Sequence, residues 1–297
     1  MNNYHIPVLL KEVLDFLNIQ DGQKYIDATL GGGGHSFEIL KRGGRLLAID
    51  VDQEAVDYVQ ENLKSQISNL KNIGKNLVLV RGNFKDIDKI AHLNGFDKVS
   101  GIVFDLGVSS HQLESKERGF SFLNDAPLDM RMDKDLGVRA LDLINILTKG
   151  ELYELFIKLG EEYNARAISD AILSARRIRP IETTGELAKI IASVSGKFSK
   201  IHPATKVFQA LRIAVNDELN SLREALPKAL ELLEKNGLLL IISFHSLEDR
   251  IVKNEFIKFE KEGFGEILTK KPIVPSLEEI NRNRRSRSSK LRVIKRI

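Results

Sequence analysis

Asp27–Ser36 reads DATLGGGGHS: a carboxylate, then four successive glycines, then a histidine and a serine. The residues before it, YIDAT, have strand character, and those after it, from His35 to Lys41, have helical character. The glycines therefore form a strand-to-helix turn, where bare backbone permits positive φ and lets a ligand lie on main-chain N–H groups at the positive end of the helix. Outward from this turn the chain keeps alternating up to Gly107. LLAID, LVLVRG and GIVFDLG are short apolar runs separated by the helical stretches QEAVDYVQENL and KDIDKIAHL. Short apolar strands interleaved with helices predict βαβ units and a parallel sheet covered on both faces.

From about Ser115 to Ala214 strand-like runs vanish. Segments such as RALDLINILT, ELYELFIKLG, ARAISDAILSARR and GELAKIIASV place apolar residues at helical spacing. Strand character returns in GLLLIISF, followed by a helical SLEDRIVKNEFIKF and two late strand candidates, GEILT and LRVIK. The simplest organisation is an α/β sheet domain interrupted after its fourth strand, with 1–112 its first part, 113–213 an inserted all-helical domain and 214–297 its completion.

Composition narrows the chemistry. Without a cysteine, disulfides, thiolate nucleophiles and Cys-ligated metals are excluded. Six scattered histidines contain no His-x-x-x-His pair, so no metal is expected. No apolar run approaches the length of a membrane span, and acids interrupt the apolar N-terminal stretch, so neither a membrane segment nor a secretory signal is indicated and the cytoplasm is the expected compartment. The net charge of +4 is unevenly spread: Asn281–Ile297 holds eight Lys or Arg and no acid, leaving the rest at −4. Such a tail is either a solvated terminus or a grip on phosphates, and the apolar Leu291, Val293 and Ile294 predict that its last residues pair as a strand.

The glycine turn does not fit a dinucleotide fingerprint, since counting G-x-G-x-x-G from Gly31 ends on Ser36. It fits acid-x-x-x-G-x-G through Asp27, Gly31 and Gly33, which resembles the first motif of S-adenosylmethionine-dependent methyltransferases. Asp50 ends the next strand, where one carboxylate accepts from both hydroxyls of a ribose. Phe84 follows the third strand, either against an adenine or in the core. Asp105 ends the fourth, beside the expected switch point of the sheet, as a catalytic acceptor or a turn cap. Methyltransferases of exocyclic amines often carry a polar-Pro-Pro-aromatic motif there; in Asp105-Leu106-Gly107-Val108 only the acid is kept.

Together, HIPVLLKEV, DATLGGGGHS, LLAIDVD, DLGVSSHQL, RGFSF, PLDMRMD, HPATKVFQALRIAVNDEL, IISFHSLEDRIVK and RSRSSKLRV span nearly the whole chain. This set resembles the small-subunit ribosomal RNA cytosine-N4 methyltransferases that modify the decoding region. The resemblance implies a Rossmann-like class I methyltransferase sheet with an inserted helical substrate-recognition domain. It also implies S-adenosylmethionine as cofactor, with contacts at Gly33, Gly34, His35, Asp50, Phe84, Asp105 and Gln112, and the small ribosomal subunit or its RNA as partner. A histidine at a helix start is alternatively only a cap.

Beyond the fourth strand, Arg118, Phe120, Phe122, Asp129 and Arg131 are candidates for phosphate binding and base stacking, or else a packed loop with internal Arg–Asp pairing. His245 ends the fifth strand as a candidate for contact with the base, with Ser246 and Asp249 three positions later reading as a helix cap. Competing readings are a nicotinamide-dependent oxidoreductase and an RNA-binding assembly factor with a vestigial pocket. No residue pattern identifies a self-complementary surface, so a homodimer is compatible with the sequence but not derivable from it.

Overall fold

The computed structural model describes residues 7–67, 76–195 and 202–297; His5 and Ile6 of the HIPVLLKEV segment lie outside them. The chain divides into two compact units. One comprises residues up to Ser109 together with Leu219–Ile297, and the other Ser110–Glu218. These boundaries fall a few residues from those placed at 112 and 213.

The first unit is built on strands β1 (Lys24–Asp27), β2 (Arg45–Asp50), β3 (Leu77–Arg81), β4 (Val99–Asp105), β5 (Leu233–Ser243), β6 (Gly265–Ile267) and β7 (Lys290–Arg296). They form one sheet in the order β3-β2-β1-β4-β5-β7-β6. The first five strands pair in parallel, and β7 runs antiparallel between β5 and β6. This is a Rossmann-like sheet, parallel through its first five strands with an antiparallel strand next to its far edge. The buried runs Leu46–Ile49 of β2 and Ile102–Phe104 of β4 have no polar face, as a sheet covered on both sides requires. Helices α1 (Leu10–Leu17), α2 (Gly34–Lys41), α3 (Gln53–Ile67) and α4 (Ile87–Leu93) belong to this half. Val13 and Leu17 of α1 join Tyr25, Leu46, Val103 and Leu240 in one apolar cluster.

The second unit is helical, with α5 (Ser110–Glu114), α6 (Ala140–Ile146), α7 (Lys149–Gly160), α8 (Ala165–Arg176), α9 (Thr184–Val194) and α10 (Ala204–Asn216). Thr148 with Glu151 and Thr183 with Glu186 form capping boxes that start α7 and α9. Leu152, Phe156, Ile168, Ile172, Leu187, Ile191 and Leu211 are wholly buried and make its core. Helix α11 (Glu218–Leu232) leads back to β5, and α12 (Ser246–Lys261) and α13 (Leu277–Arg282) complete the chain. Among the described residues no helix is long and apolar enough to cross a membrane.

The basic tail is ordered as expected for its last residues. β7 is locked to α12 by Asp249, which accepts from Arg292 Nε at 2.6 Å and Lys290 Nζ at 2.9 Å. Burial pushes the Asp249 carboxyl up, but the two cations outweigh it and hold it below the usual range. Replacing Asp249 by alanine leaves the buried Arg292 without its counter-charge and is expected to cost about 3 kcal/mol at pH 7 in urea unfolding. A native carboxyl pKa below the unfolded value contributes stability above pH 4 that is lost as the group takes up its proton. The gap between variant and wild type is therefore expected to close below about pH 4.

Candidate active site

The carboxyl ends of β1, β2 and β4 carry Asp27, Asp50 and Asp105 side by side, because β1 lies between β2 and β4 in the sheet. The strand order reverses between β1 and β4, the switch point at which such sheets bind ligands. Two long-range hydrogen bonds fix the edge. Gly31 N–H donates to Asp50 Oδ2 at 2.7 Å, and Asp105 N–H donates to Thr29 Oγ1 at 2.6 Å. The glycine turn is thus held to both flanking strands.

The four glycines do not share one task. Gly31 has φ of +48°, and a Cβ there would meet nothing nearer than 3.9 Å, so this position offers open backbone to a ligand. Gly33 has φ of +76° and caps α2, but a Cβ there would press on Phe37 and Val59 at 3.0 Å. A Cβ on Gly34 would come 2.8 Å from the Pro7 ring. Close packing of protein on protein thus explains the missing side chains at Gly33 and Gly34, and positive φ favours glycine at Gly31, beside which room is left.

Asp27 is 2% exposed and accepts from Ser36 Oγ at 2.6 Å and from Thr29 N–H at 3.2 Å. Burial raises its carboxyl pKa, opposed by His35 and these hydrogen bonds. Asp50 also accepts from Asp52 N–H at 2.9 Å, and burial pushes it up to about 6 against the two amide donors. His35, 4% exposed, is pinned through Nε2, 3.1 Å from the Val8 carbonyl. A carbonyl only accepts, so Nε2–H donates and Nδ1 is left facing Asp105 Oδ2 at 3.7 Å. The histidine is therefore more than a helix cap: it bridges the N-terminal segment and the end of β4. Phe84 sits just past β3 with its ring edge-on to Phe104 at 5.5 Å between centroids. Gln112 lies buried on α5 in the helical unit.

The remaining candidates are occupied within the protein. Arg131 makes a two-pronged pair with Asp129 through Nε at 2.7 Å and Nη2 at 2.8 Å, and its Nη1 donates to the Lys134 and Leu136 carbonyls. Arg118 is buried, donates to the Arg131 and Met132 carbonyls and lies over the Phe120 ring. Internal pairing is therefore what both guanidinium groups do in this structure. Phe122 stacks on His202 at 4.5 Å and meets Phe208 edge-on. At the start of α12 the N-cap is His245 and not Ser246. Its Nδ1 accepts from Glu248 N–H at 3.4 Å, and Glu248 Oε2 accepts in return from Phe244 and His245 N–H. The capping box is shifted by one residue toward the N-terminus because β5 ends at Ser243, before His245, and α12 begins at Ser246, one residue earlier than the S-x-x-D pattern implies.

A turn of open backbone ringed by three acids suits a cationic nucleoside better than a dinucleotide, whose pyrophosphate would be repelled by them. A Rossmann-like sheet with an acid-lined glycine turn at its switch point is compatible with a methyltransferase. Residues 2–297 match the model of the MraW methylase family, and the chain belongs to that family, one of S-adenosylmethionine-dependent methyltransferases. It is 49% identical over 296 residues to the ribosomal RNA small subunit methyltransferase H of Persephonella marina, covering 99% of each chain. It is 46% identical to the protein of that name from Coprothermobacter proteolyticus, covering 99% of this chain and 97% of the other. Among solved structures, an rRNA methylase from Streptococcus thermophilus superposes with a TM-score of 0.47 at 12% identity, covering 99% of both chains.

The residues present fit S-adenosylmethionine: Asp50 offers a carboxylate to ribose hydroxyls, Gly31 offers backbone room, and the acids balance a sulfonium. With Asp50 as the acceptor of those hydroxyls and burial pushing its carboxyl up to about 6, binding is expected to weaken as pH falls through that value. Calorimetry should show the dissociation constant rising about tenfold between pH 7 and pH 5. Asp50→Asn should bind weakly at both pH values, and a flat profile in the wild type would remove Asp50 from the ribose.

Proposed function

We propose that this protein transfers a methyl group from S-adenosylmethionine to the N4 exocyclic amine of a cytosine in the decoding region of small-subunit ribosomal RNA. The observation that carries the reading is the row of Asp27, Asp50 and Asp105 at adjacent strand ends around the open Gly31 turn. Membership of the methylase family and the name shared by its near relatives support methyl transfer to a small-subunit ribosomal RNA. The family leaves the oxidoreductase alternative without support.

When bound, the cofactor supplies an electrophilic methyl with a neutral thioether as leaving group, so no acid is needed to expel it. The obstacle lies in the nucleophile, because the cytosine amine donates its lone pair into the ring. Asp105, through its carboxylate or its backbone carbonyl, accepts from the amine and turns the lone pair outward. Its N–H bond to Thr29 and the facing His35 ring hold it in place. Positioning of this kind is worth up to about 7–11 kcal/mol in intramolecular precedents. The amine proton leaves after transfer, to water or to a neighbouring carboxylate. A base embedded in a duplex cannot present its amine in this way, so the target is unpaired or flipped out. The helical unit and the basic tail supply the grip on the strand.

Nucleoside mass spectrometry of small-subunit RNA from cells with and without the protein tests the reading. The cytosine product is expected to disappear with the protein and to return when purified enzyme and cofactor are added. Asp105→Asn should lower kcat about 100-fold or more while leaving S-adenosylmethionine affinity within about threefold by calorimetry. Full activity in that variant would remove the Asp105 carboxylate from the chemistry. An unchanged base mass with intact RNA binding would favour the assembly-factor reading.

A further inference from the structure

A cavity of about 390 Å³ opens beyond the carboxyl end of β5, lined by Phe244, His245, Ser246, Arg287, Ser288 and Lys290 among others. It combines three sources of positive potential. The 16-residue α12 begins at Ser246, so its dipole is positive at the cavity. Arg287 is exposed and has no ion pair among the described residues. Lys290 shares Asp249 with Arg292, so one carboxylate faces two cations and leaves a net positive charge. Glu248 is buried, accepts from the amides of Phe244 and His245 through Oε2 and lies 3.1 Å from His245 Nε2 through Oε1. Two serine hydroxyls complete a wall suited to an oxyanion.

The place of the cavity narrows the ligand. Asp105 pairs with Ile242 in the β4–β5 ladder, and the wall residue Phe244 lies two residues further along the chain, just past the end of β5 at Ser243. Strand geometry sets these two places about 8 Å apart, roughly one nucleotide step. A Cβ on Gly107, two residues beyond Asp105, would come 3.5 Å from the Phe244 ring, so this wall is continuous with the end of β4.

We propose that this cavity seats a backbone phosphate of the RNA strand next to the base presented to Asp105, gripped chiefly by Arg287 with Lys290. The inference rests on the reading of the protein as an RNA methyltransferase and adds a positioning site that its methyl-donor pocket does not contain.

The test is fluorescence anisotropy of the full chain with a labelled single-stranded fragment of small-subunit ribosomal RNA, titrated across potassium chloride concentrations. Arg287→Ala is expected to weaken binding about tenfold at low salt and to reduce the slope of log K against log salt by about 0.7, the share of one phosphate on a single strand. Arg45→Ala, an exposed arginine at the opposite end of the sheet, should leave the slope unchanged. Inorganic phosphate at matched ionic strength should displace RNA from the wild type more effectively than chloride and lose that advantage in Arg287→Ala. An unaltered slope in Arg287→Ala, an equal loss in Arg45→Ala or no measurable RNA binding by the wild type would overturn the proposal. If phosphate competes but the RNA slope is unaltered, the cavity takes free anions only and the RNA assignment is again overturned. Methylation of the same fragment is read separately, so loss of the phosphate seat with methylation intact is distinguishable from failure of the methyltransferase reading.

Discussion

The hydrogen bond from the Gly31 amide to Asp50 Oδ2 is the constraint on which the site depends. It uses one lone pair of the carboxylate to hold the glycine turn against β2, while Oδ1 accepts from Asp52 N–H. The same bond, with that of Asp52, opposes the burial that lifts the Asp50 pKa to about 6. Without these donors a buried carboxylate would keep its proton and lose its value as an acceptor for sugar hydroxyls. Across β1, the Asp105–Thr29 bond makes the matching tie to β4. Three strand ends are thereby fixed relative to one another by two bonds that both begin or end in the turn.

This arrangement concentrates negative charge. After burial, the neighbouring charges add to the cost of ionising these groups: Asp105 raises the pKa of Asp27 and Asp27 that of Asp50, while His35 lowers that of Asp27. Elsewhere in the same unit the balance is reversed, with the basic tail drawn into β7 and the turn before it. An acid-rich pocket for a cationic donor and a basic rim for a polyanion are complementary demands, and the sequence meets them by separating the charges along the chain.

Much of this was legible in the sequence because it depends on local order. A strand that ends in an acid, followed by a turn and a helix, places its carboxylate at one sheet edge, which is how Asp27, Asp50 and Asp105 were found. The fifth strand, the late β6 and β7 and the inserted helical block followed from periodicity alone. What escaped depends on contacts distant in sequence. Nothing in the glycine run announces that Pro7 occupies the space beside Gly34. The insertion of β7 between β5 and β6 and its bridge through Asp249 join residues 43 apart. The cap at His245 was misplaced by one residue because a histidine is a rare acceptor in that role and the pattern favoured serine. Internal pairing of Arg118 and Arg131 was one of two readings open in the sequence, but the backbone carbonyls of residues 131, 132, 134 and 136 that join the Asp129 carboxylate as acceptors have no sequence pattern.

The most direct measurement is a crystal structure of the protein with S-adenosylmethionine bound. The account predicts the ribose hydroxyls within hydrogen-bonding distance of Asp50, the ligand lying along the Gly31 backbone and the methyl group turned toward Asp105. A ligand bound away from this edge, or a ribose held by groups other than Asp50, would contradict it.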